Sequence, residues 1–185
     1  MNILVCIKQV PDTTEIKIDP VKHTLIREGV PSIVNPFDAC ALEMAVRLKE
    51  KEGGKVIVIS MGPAQAKNAL KECLAVGADQ AFLVTDRAFG GSDTLATSYI
   101  LSRAIAAVEA KTGEKFDLIF CGKQAIDGDT AQVGPEIAEH MDLPHVTLAT
   151  AVEMADGKLH VTRDTDEGHD LVEVSLPALV TVTKT

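Results

Sequence analysis

Apolar residues in this chain fall in short solid runs, separated by segments with helical spacing. Ile3 to Val10, Lys55 to Met61, Gln80 to Thr85 and Phe116 to Cys121 are the runs. Each is short and rich in Val, Ile, Leu or Phe, so each predicts a core strand of a buried sheet; the first ends at Pro11. Phe37 to Glu52 places Ala41, Leu42, Ala45, Val46 and Leu48 on one broad face and stops at Gly53-Gly54, which predicts a helix. Pro63 opens a second helix that runs to Val76 and closes at Gly77. Gly90-Gly91-Ser92-Asp93 precedes a long helix from Thr94 to Lys111, with Ser92 or Asp93 as its N-cap. Pro135 to Met141 reads as a fourth helix. Thr14 to Ile18 and Thr24 to Arg27 read as a short hairpin, with Asp19-Pro20 at its turn and Gly29 after it.

This alternation predicts an α/β fold, a doubly wound and mostly parallel sheet with right-handed crossovers. Past Pro144 the pattern changes. Thr147 to Met154, Lys158 to Arg163, Leu171 to Ser175 and Leu179 to Thr183 all look extended, and Asp156-Gly157 is a strong hairpin turn. These strands are expected to add to the sheet edge or to form a small subsheet. Residues 146–185 would thus pack on one nucleotide-binding-type domain spanning 1–185.

Composition narrows the function class. The 185 residues are 46% hydrophobic and 24% charged, as in a globular domain with a real core. A net charge of −9 without a basic block argues against nucleic acid, and with no Trp and one Tyr there is no aromatic stacking surface. Runs such as Val56 to Met61 and Leu179 to Val182 are too short to span a bilayer. Met1 to Cys6 lacks a basic n-region and a cleavage site. Cys6, Cys40, Cys73 and Cys121 have no metal-type spacing and read as buried reduced thiols, so a cytoplasmic location is expected.

The chemistry gathers where strands end. Gly122-Lys123-Gln124-Ala125-Ile126-Asp127-Gly128-Asp129-Thr130-Ala131-Gln132-Val133-Gly134-Pro135 leaves a strand and opens a helix. In an open α/β sheet this is where nucleotides bind, and a helix N-terminus offers N–H groups to phosphate. A tight loop with Asp129 or Thr130 as an ordinary N-cap explains the same residues equally well, and Asp127 and Asp129 would repel an anion. Asn35-Pro36-Phe37-Asp38 marks a helix entry, by capping or by contact with a base or ribose. Ser60-Met61-Gly62-Pro63 is a turn where Met61 could cover a flat ring. Gly91-Ser92-Asp93-Thr94 is another glycine-opened helix start. Val161 to Gly168 reads as a solvated hairpin tip holding Arg163. Gly-x-Gly-x-x-Gly, the P-loop and the hydrolase elbow are all absent.

Taken in order, these segments resemble the β subunit of electron transfer flavoproteins. The residues that carry the resemblance are Val5-Cys6-Ile7-Lys8-Gln9-Val10-Pro11-Asp12, Asn35-Pro36-Phe37-Asp38, Ala45-Val46-Arg47-Leu48-Lys49, Gly62-Pro63-Ala64, Ala75-Val76-Gly77-Ala78-Asp79, Gly122 to Asp129, Val161-x-Arg163 with Gly168, and Leu176 to Thr181. The resemblance implies an adenine-nucleotide-binding (HUP-like) fold and a heterodimer with an α subunit. It implies a nucleotide lined by Cys6, Asn35 to Asp38, Met61 and Gly122 to Val133. Ordinary members hold AMP there as a structural ligand. Members from anaerobic metabolism hold FAD, which takes a hydride from NADH and splits the electron pair between an acyl-CoA dehydrogenase and a low-potential acceptor.

Asp127 to Pro135, with small Gly128 and Ala131, is similar to the bifurcating branch, in which Gly91-Ser92-Asp93-Thr94 would be a contact for NADH. No side chain is implied as a catalytic acid. Two departures stand out. Glu167 replaces the first of the paired glycines near Arg163. The family's C-terminal extension, with its dehydrogenase-docking loop and arm, has no counterpart before Thr185, which gives the look of a truncated family member. An AMP-binding structural subunit, or a homodimeric stress-type adenine-nucleotide-binding protein, are the competing readings.

Overall fold

Eight strands form one sheet in the order β11-β10-β9-β12-β8-β1-β6-β7. The structure, a computed structural model, describes residues 1–12 and 31–184, together with the backbone of residues 17–18 and 25–26. In chain order the elements are β1 (Asn2–Cys6), β2 (Gln9–Pro11), β3 (Lys17–Ile18), β4 (Leu25–Ile26), β5 (Ser32–Val34), α1 (Pro36–Glu52), β6 (Lys55–Met61), α2 (Lys67–Ala75), β7 (Gln80–Val84) and α3 (Thr94–Thr112). There follow β8 (Leu118–Gly122), α4 (Val133–His140), β9 (His145–Ala155), β10 (Lys158–Thr165), β11 (Gly168–Val174) and β12 (Ala178–Val182).

Every strand from β7 across to β9 pairs in parallel with its neighbour. The strands alternate between two cores, as a period of two requires. Ile3 and Val5, Val56 and Val58, Leu118 and Phe120 face α1 and α2. Leu4 and Cys6, Ile57 and Ile59, Ile119 and Cys121 face α3 and α4. Helices on both faces of a parallel sheet make this the doubly wound α/β fold that the sequence predicts. Among the described residues no helix is long and apolar enough to cross a membrane.

Three readings need correction. Ile3 to Val10 is not one strand. The chain leaves the sheet after Cys6, and Gln9–Pro11 pairs instead with β5. The break occurs because the N–H of Lys8 is taken by the Asp38 carboxylate at 2.7 Å rather than by a neighbouring strand. The last strand is not at an edge either. β12 lies between β8 and β9, parallel to both, and only the antiparallel β9-β10-β11 meander extends outward. Arg163 does not sit at a solvated tip: it is half-buried within β10, opposite Ala149, and its Nη2 donates to Thr147 Oγ1 at 3.2 Å. The tip itself is the two-residue turn Asp166-Glu167, closed by the pair Thr165 and Gly168. β3 and β4 pair antiparallel as read, while the rest of that hairpin, Asp19-Pro20 and Gly29 included, lies outside the described residues.

Helix α4 rides directly on β12. A methyl group on Gly134 would lie 2.6 Å from Thr181 Cγ2, and Thr181 is fixed because its hydroxyl accepts the N–H of Leu148 at 3.2 Å. Gly134→Ala is therefore expected to cost about 1–3 kcal/mol in urea unfolding. Thr181→Ser, which removes that methyl and keeps the hydroxyl, should recover most of the loss in the double variant. Equal losses with and without Thr181→Ser would refute the contact.

Candidate functional site

The strand order reverses between β1 and β8. β6 and β7 succeed β1 on one side, and β8 and β12 lie on the other. A crevice opens at such a switch point, beyond the carboxyl ends of the strands. Cys6 and Cys121 are register partners across it, and the loop from Gly122 to Gln132 leaves from its lip. The candidate residues from three separate chain segments thus converge on one place.

Two buried side chains at the start of α1 hold that place in shape. Asn35 is 1% exposed, and its amide is used at both ends. Its Nδ2 donates to Gln124 O at 2.8 Å, and its Oδ1 accepts the N–H of Ile126 at 3.1 Å. Asp38 is 6% exposed; its Oδ2 accepts the N–H of Lys8 and its Oδ1 that of Gly122, at 2.7 and 3.1 Å. The sequence allowed these residues to cap the helix or touch a ligand. The Asn35 side chain makes no cap on α1; it organises the loop instead. Gly122 is glycine for the same reason. A Cβ there would lie 2.7 Å from the Asp38 nitrogen and the Phe37 carbonyl carbon. The close approach at this glycine is thus to α1.

Burial pushes the Asp38 carboxyl up to about 7, although the N–H of Lys8, the Asn35 side chain, the N–H of Gly122 and the Lys8 charge pull it back. The Cys121 thiol is raised well above its usual range, first by its hydrogen bond with Cys6 and then by burial. The Cys121 sulfur is therefore not a ready nucleophile.

The loop's acidic residues are spoken for. Lys8 Nζ pairs with Asp127 at 2.6 Å, and Gln124 Nε2 donates to Asp129 at 2.6 Å. The Lys8 ammonium offsets the Asp127 charge, whereas the Gln124 amide orients Asp129 without neutralising it. Lys8 belongs to this candidate site although the sequence did not single it out as a lining residue; its signal was its place in the Val5 to Asp12 run that carries the family resemblance. Asp129 and Ala131 adopt left-handed backbone, φ 52° and 55°, on either side of Thr130. Such backbone costs on the order of 1 kcal/mol per residue and is concentrated at ligand sites. A Cβ on Gly128 would meet nothing within 4 Å, so this turn is open outward.

Helix α4 begins at Val133, two residues before Pro135. Its N-cap is Gln132, not Asp129 or Thr130, and no side chain caps it. Phe37 lies below Lys123 and Lys184, whose ammonium groups stand 6.0 and 5.6 Å from the ring centre. Met61 ends β6 and packs against the α3 and α4 core.

The segment from Gly91 to Thr94 is largely occupied in shaping α3. Ser92 Oγ donates to Phe89 O at 2.8 Å, and the Asp93 carboxylate caps the N–H of Ala96 at 2.8 Å. Thr94 Oγ1 lies 3.1 Å from Glu136 and 3.3 Å from Gln132, which places this segment beside the end of the loop.

Comparison with known proteins decides what this arrangement belongs to. The electron transfer flavoprotein domain model matches residues 22–185. The chain belongs to the electron transfer flavoprotein family. It is 59% identical to the electron transfer flavoprotein subunit beta of Thermoanaerobacterium thermosaccharolyticum, over all of this chain and 68% of that protein. It is 58% identical to the subunit beta of Clostridium acetobutylicum, over all of this chain and 69% of that one. It is also 54% identical to the caffeyl-CoA reductase-Etf complex subunit CarD of Acetobacterium woodii, again over all of this chain and 69% of the relative. The electron transfer flavoprotein chain therefore has an electron-transfer role of the β-subunit type.

Proposed function

We propose that this chain holds FAD in the crevice between β1 and β8, and that with an α subunit it passes electrons from NADH towards an acyl-CoA dehydrogenase and a low-potential acceptor. One observation carries the reading. The loop from Gly122 to Gln132 lies at the switch point, is tethered from beneath by Asn35 and Asp38, and leads into a helix whose N-terminus no side chain caps. The residues suit a dinucleotide. The first-turn N–H groups of α4 and the Thr130 hydroxyl suit its diphosphate. Paired Asp127 and Asp129 suit the polar sugar edge, and the open side of Gly128 leaves room. Bound flavin supplies the redox chemistry, and the protein supplies orientation and electrostatics.

NADH would approach from the α3 side, where Thr94 adjoins Gln132. The CarD relative's name, that of a caffeyl-CoA reductase-Etf complex subunit, supports a CoA-thioester enzyme as partner. Cys6, Pro36, Phe37, Met61, Lys123, Ala125, Ile126 and Val133 complete the proposed lining.

Nucleotide extraction from the purified complex tests the reading, with quantification by absorbance and mass. One FAD bound to this subunit, besides any held by the α subunit, is the expected result. AMP in its place would favour the structural-ligand alternative, and a subunit free of either nucleotide would overturn both.

A further inference from the structure

Asp38 differs in kind from Asn35. Both are buried and both hold the rim of the crevice, but Asn35 joins a carbonyl to an N–H, which one amide can do. Asp38 joins two N–H groups, one from each strand end. Only a side chain with two acceptors and no donor does this, and an ionised carboxylate is the one available. The two contacts are unequal, 2.7 Å to Lys8 and 3.1 Å to Gly122. A proton on the carboxylate goes to the weaker side, Oδ1, and displaces Gly122.

We propose that Asp38 is a positioning residue that latches the crevice, tying Lys8 beyond β1 to Gly122 at the end of β8, and that protonation releases the β8 side and loosens the loop. The part of this concerning nucleotide release rests on the proposed FAD site. The geometry gives the latch its reach. Gly122 begins the loop, and Lys8, held by its N–H on Asp38, grips the same loop through its ammonium on Asp127. Lys8, from the connection after β1, is the charge that acts on Asp38, and the Asp38 charge in turn raises the thiols of Cys73 on α2 and Cys121 on β8. The thiols of Cys73 and Cys121 stay neutral, Cys73 being pushed up to about 12. The carboxyl value of about 7 sets the window in which the latch works.

Local and global effects have opposite signs here, and this separates a latch from a mere structural carboxylate. As pH falls through 7, protonation relieves the buried charge and stabilises the whole chain. The hold on Gly122 weakens over the same range. Amide hydrogen exchange at pH 8 and pH 6, corrected for the intrinsic pH dependence of exchange, reads both. At pH 6 protection across residues 122–132 should be at least fivefold lower, while the β1 and β6 core is unchanged or better protected. Asp38→Asn should lack the step and show low protection at both values, because its Nδ2 faces one of the two N–H donors. Asn35→Ala should lower protection around 124–126 at both values and move the midpoint of the step to higher pH, because the Asn35 side chain helps to hold Asp38 ionised.

Equal wild-type protection at the two values, or an unchanged step in Asp38→Asn, would overturn the latch. If Asp38→Asn does not fold, a carboxyl-carbon NMR titration of wild-type Asp38 replaces it. Its midpoint must coincide with that of the protection step, and separate midpoints refute the proposal. In nucleotide-loaded protein the release rate should rise at least threefold from pH 8 to 6. A chain that binds no nucleotide would sink the FAD reading, while the exchange measurement still decides on the latch.

Discussion

Gly122→Ala is expected to lower unfolding free energy by on the order of 3 kcal/mol and, under the proposed function, to abolish retention of the nucleotide. The added methyl has nowhere to go. It would press on backbone, the Asp38 nitrogen and the Phe37 carbonyl carbon, each at 2.7 Å, as well as on Asp38 Oδ1. Backbone atoms of a helix start cannot rotate away as a side-chain tip can. Relief requires α1 to lift from β8, which breaks the Gly122 contact to Asp38 and strains the Asn35 tether two residues further on. Urea unfolding of the variant beside Gly128→Ala checks this. Gly128 faces open space, so its alanine variant should fall within about 0.5 kcal/mol of wild type. Similar midpoints for the two would show that α1 does not close on Gly122 as described.

Asp38→Asn should change the pH dependence of stability more than any other single substitution of an ionisable group. The sign follows from burial. Folding raises this carboxyl from 3.8 to about 7, so between those values the native chain binds the proton that the unfolded chain has lost. Stability from this group therefore falls as pH rises from about 4 to 7, and the cost of the buried charge is complete above 7. A shift of that size corresponds to at most about 4 kcal/mol. The variant removes the ionisation and adds one mismatched N–H contact. At pH 5 it should be slightly less stable than wild type, and at pH 8 more stable by about 1–3 kcal/mol. Chemical denaturation across pH 5 to 8 reads this directly. Parallel pH profiles for variant and wild type would mean that Asp38 does not titrate in this range.

The parts of the fold set by local pattern were legible from the residues. The apolar runs gave β6 and β7 nearly to the residue, and Gly53 and Gly77 marked the ends of the helices before them. The exceptions have a common cause, which is competition from distant groups. β1 ends early because Asp38, thirty residues on, takes the N–H of Lys8. β12 reads like any edge strand, since Ala178 to Val182 fixes its burial but not its neighbours. Helix α4 starts before Pro135 because Gly134 must close on Thr181, a partner no local signal reveals. At the candidate site, position along the chain indicated which loop matters. It did not indicate that Asp127 and Asp129 would be paired, nor that Asn35 and Asp38 would support the loop from below. The contacts of Asn35 with the loop, of Asp38 with Gly122 and of Lys8 with Asp127 span 84 to 119 positions, while the Gln124 bond to Asp129 spans five.

The place of β12 also governs how the molecule can be made. While a ribosome is still delivering residues beyond 140, β8 has β1 on one side and nothing on the other. Its outer edge, the one turned away from β1, stays bare until residues 178–182 emerge. The β9-β10-β11 meander, assembled earlier from adjacent segments, is joined to the parallel sheet only when β12 slots in between. A nascent chain must therefore carry an unpaired apolar strand edge for about sixty residues of synthesis, several seconds at roughly 5–20 residues per second. That interval is when this protein has the greatest need of a chaperone.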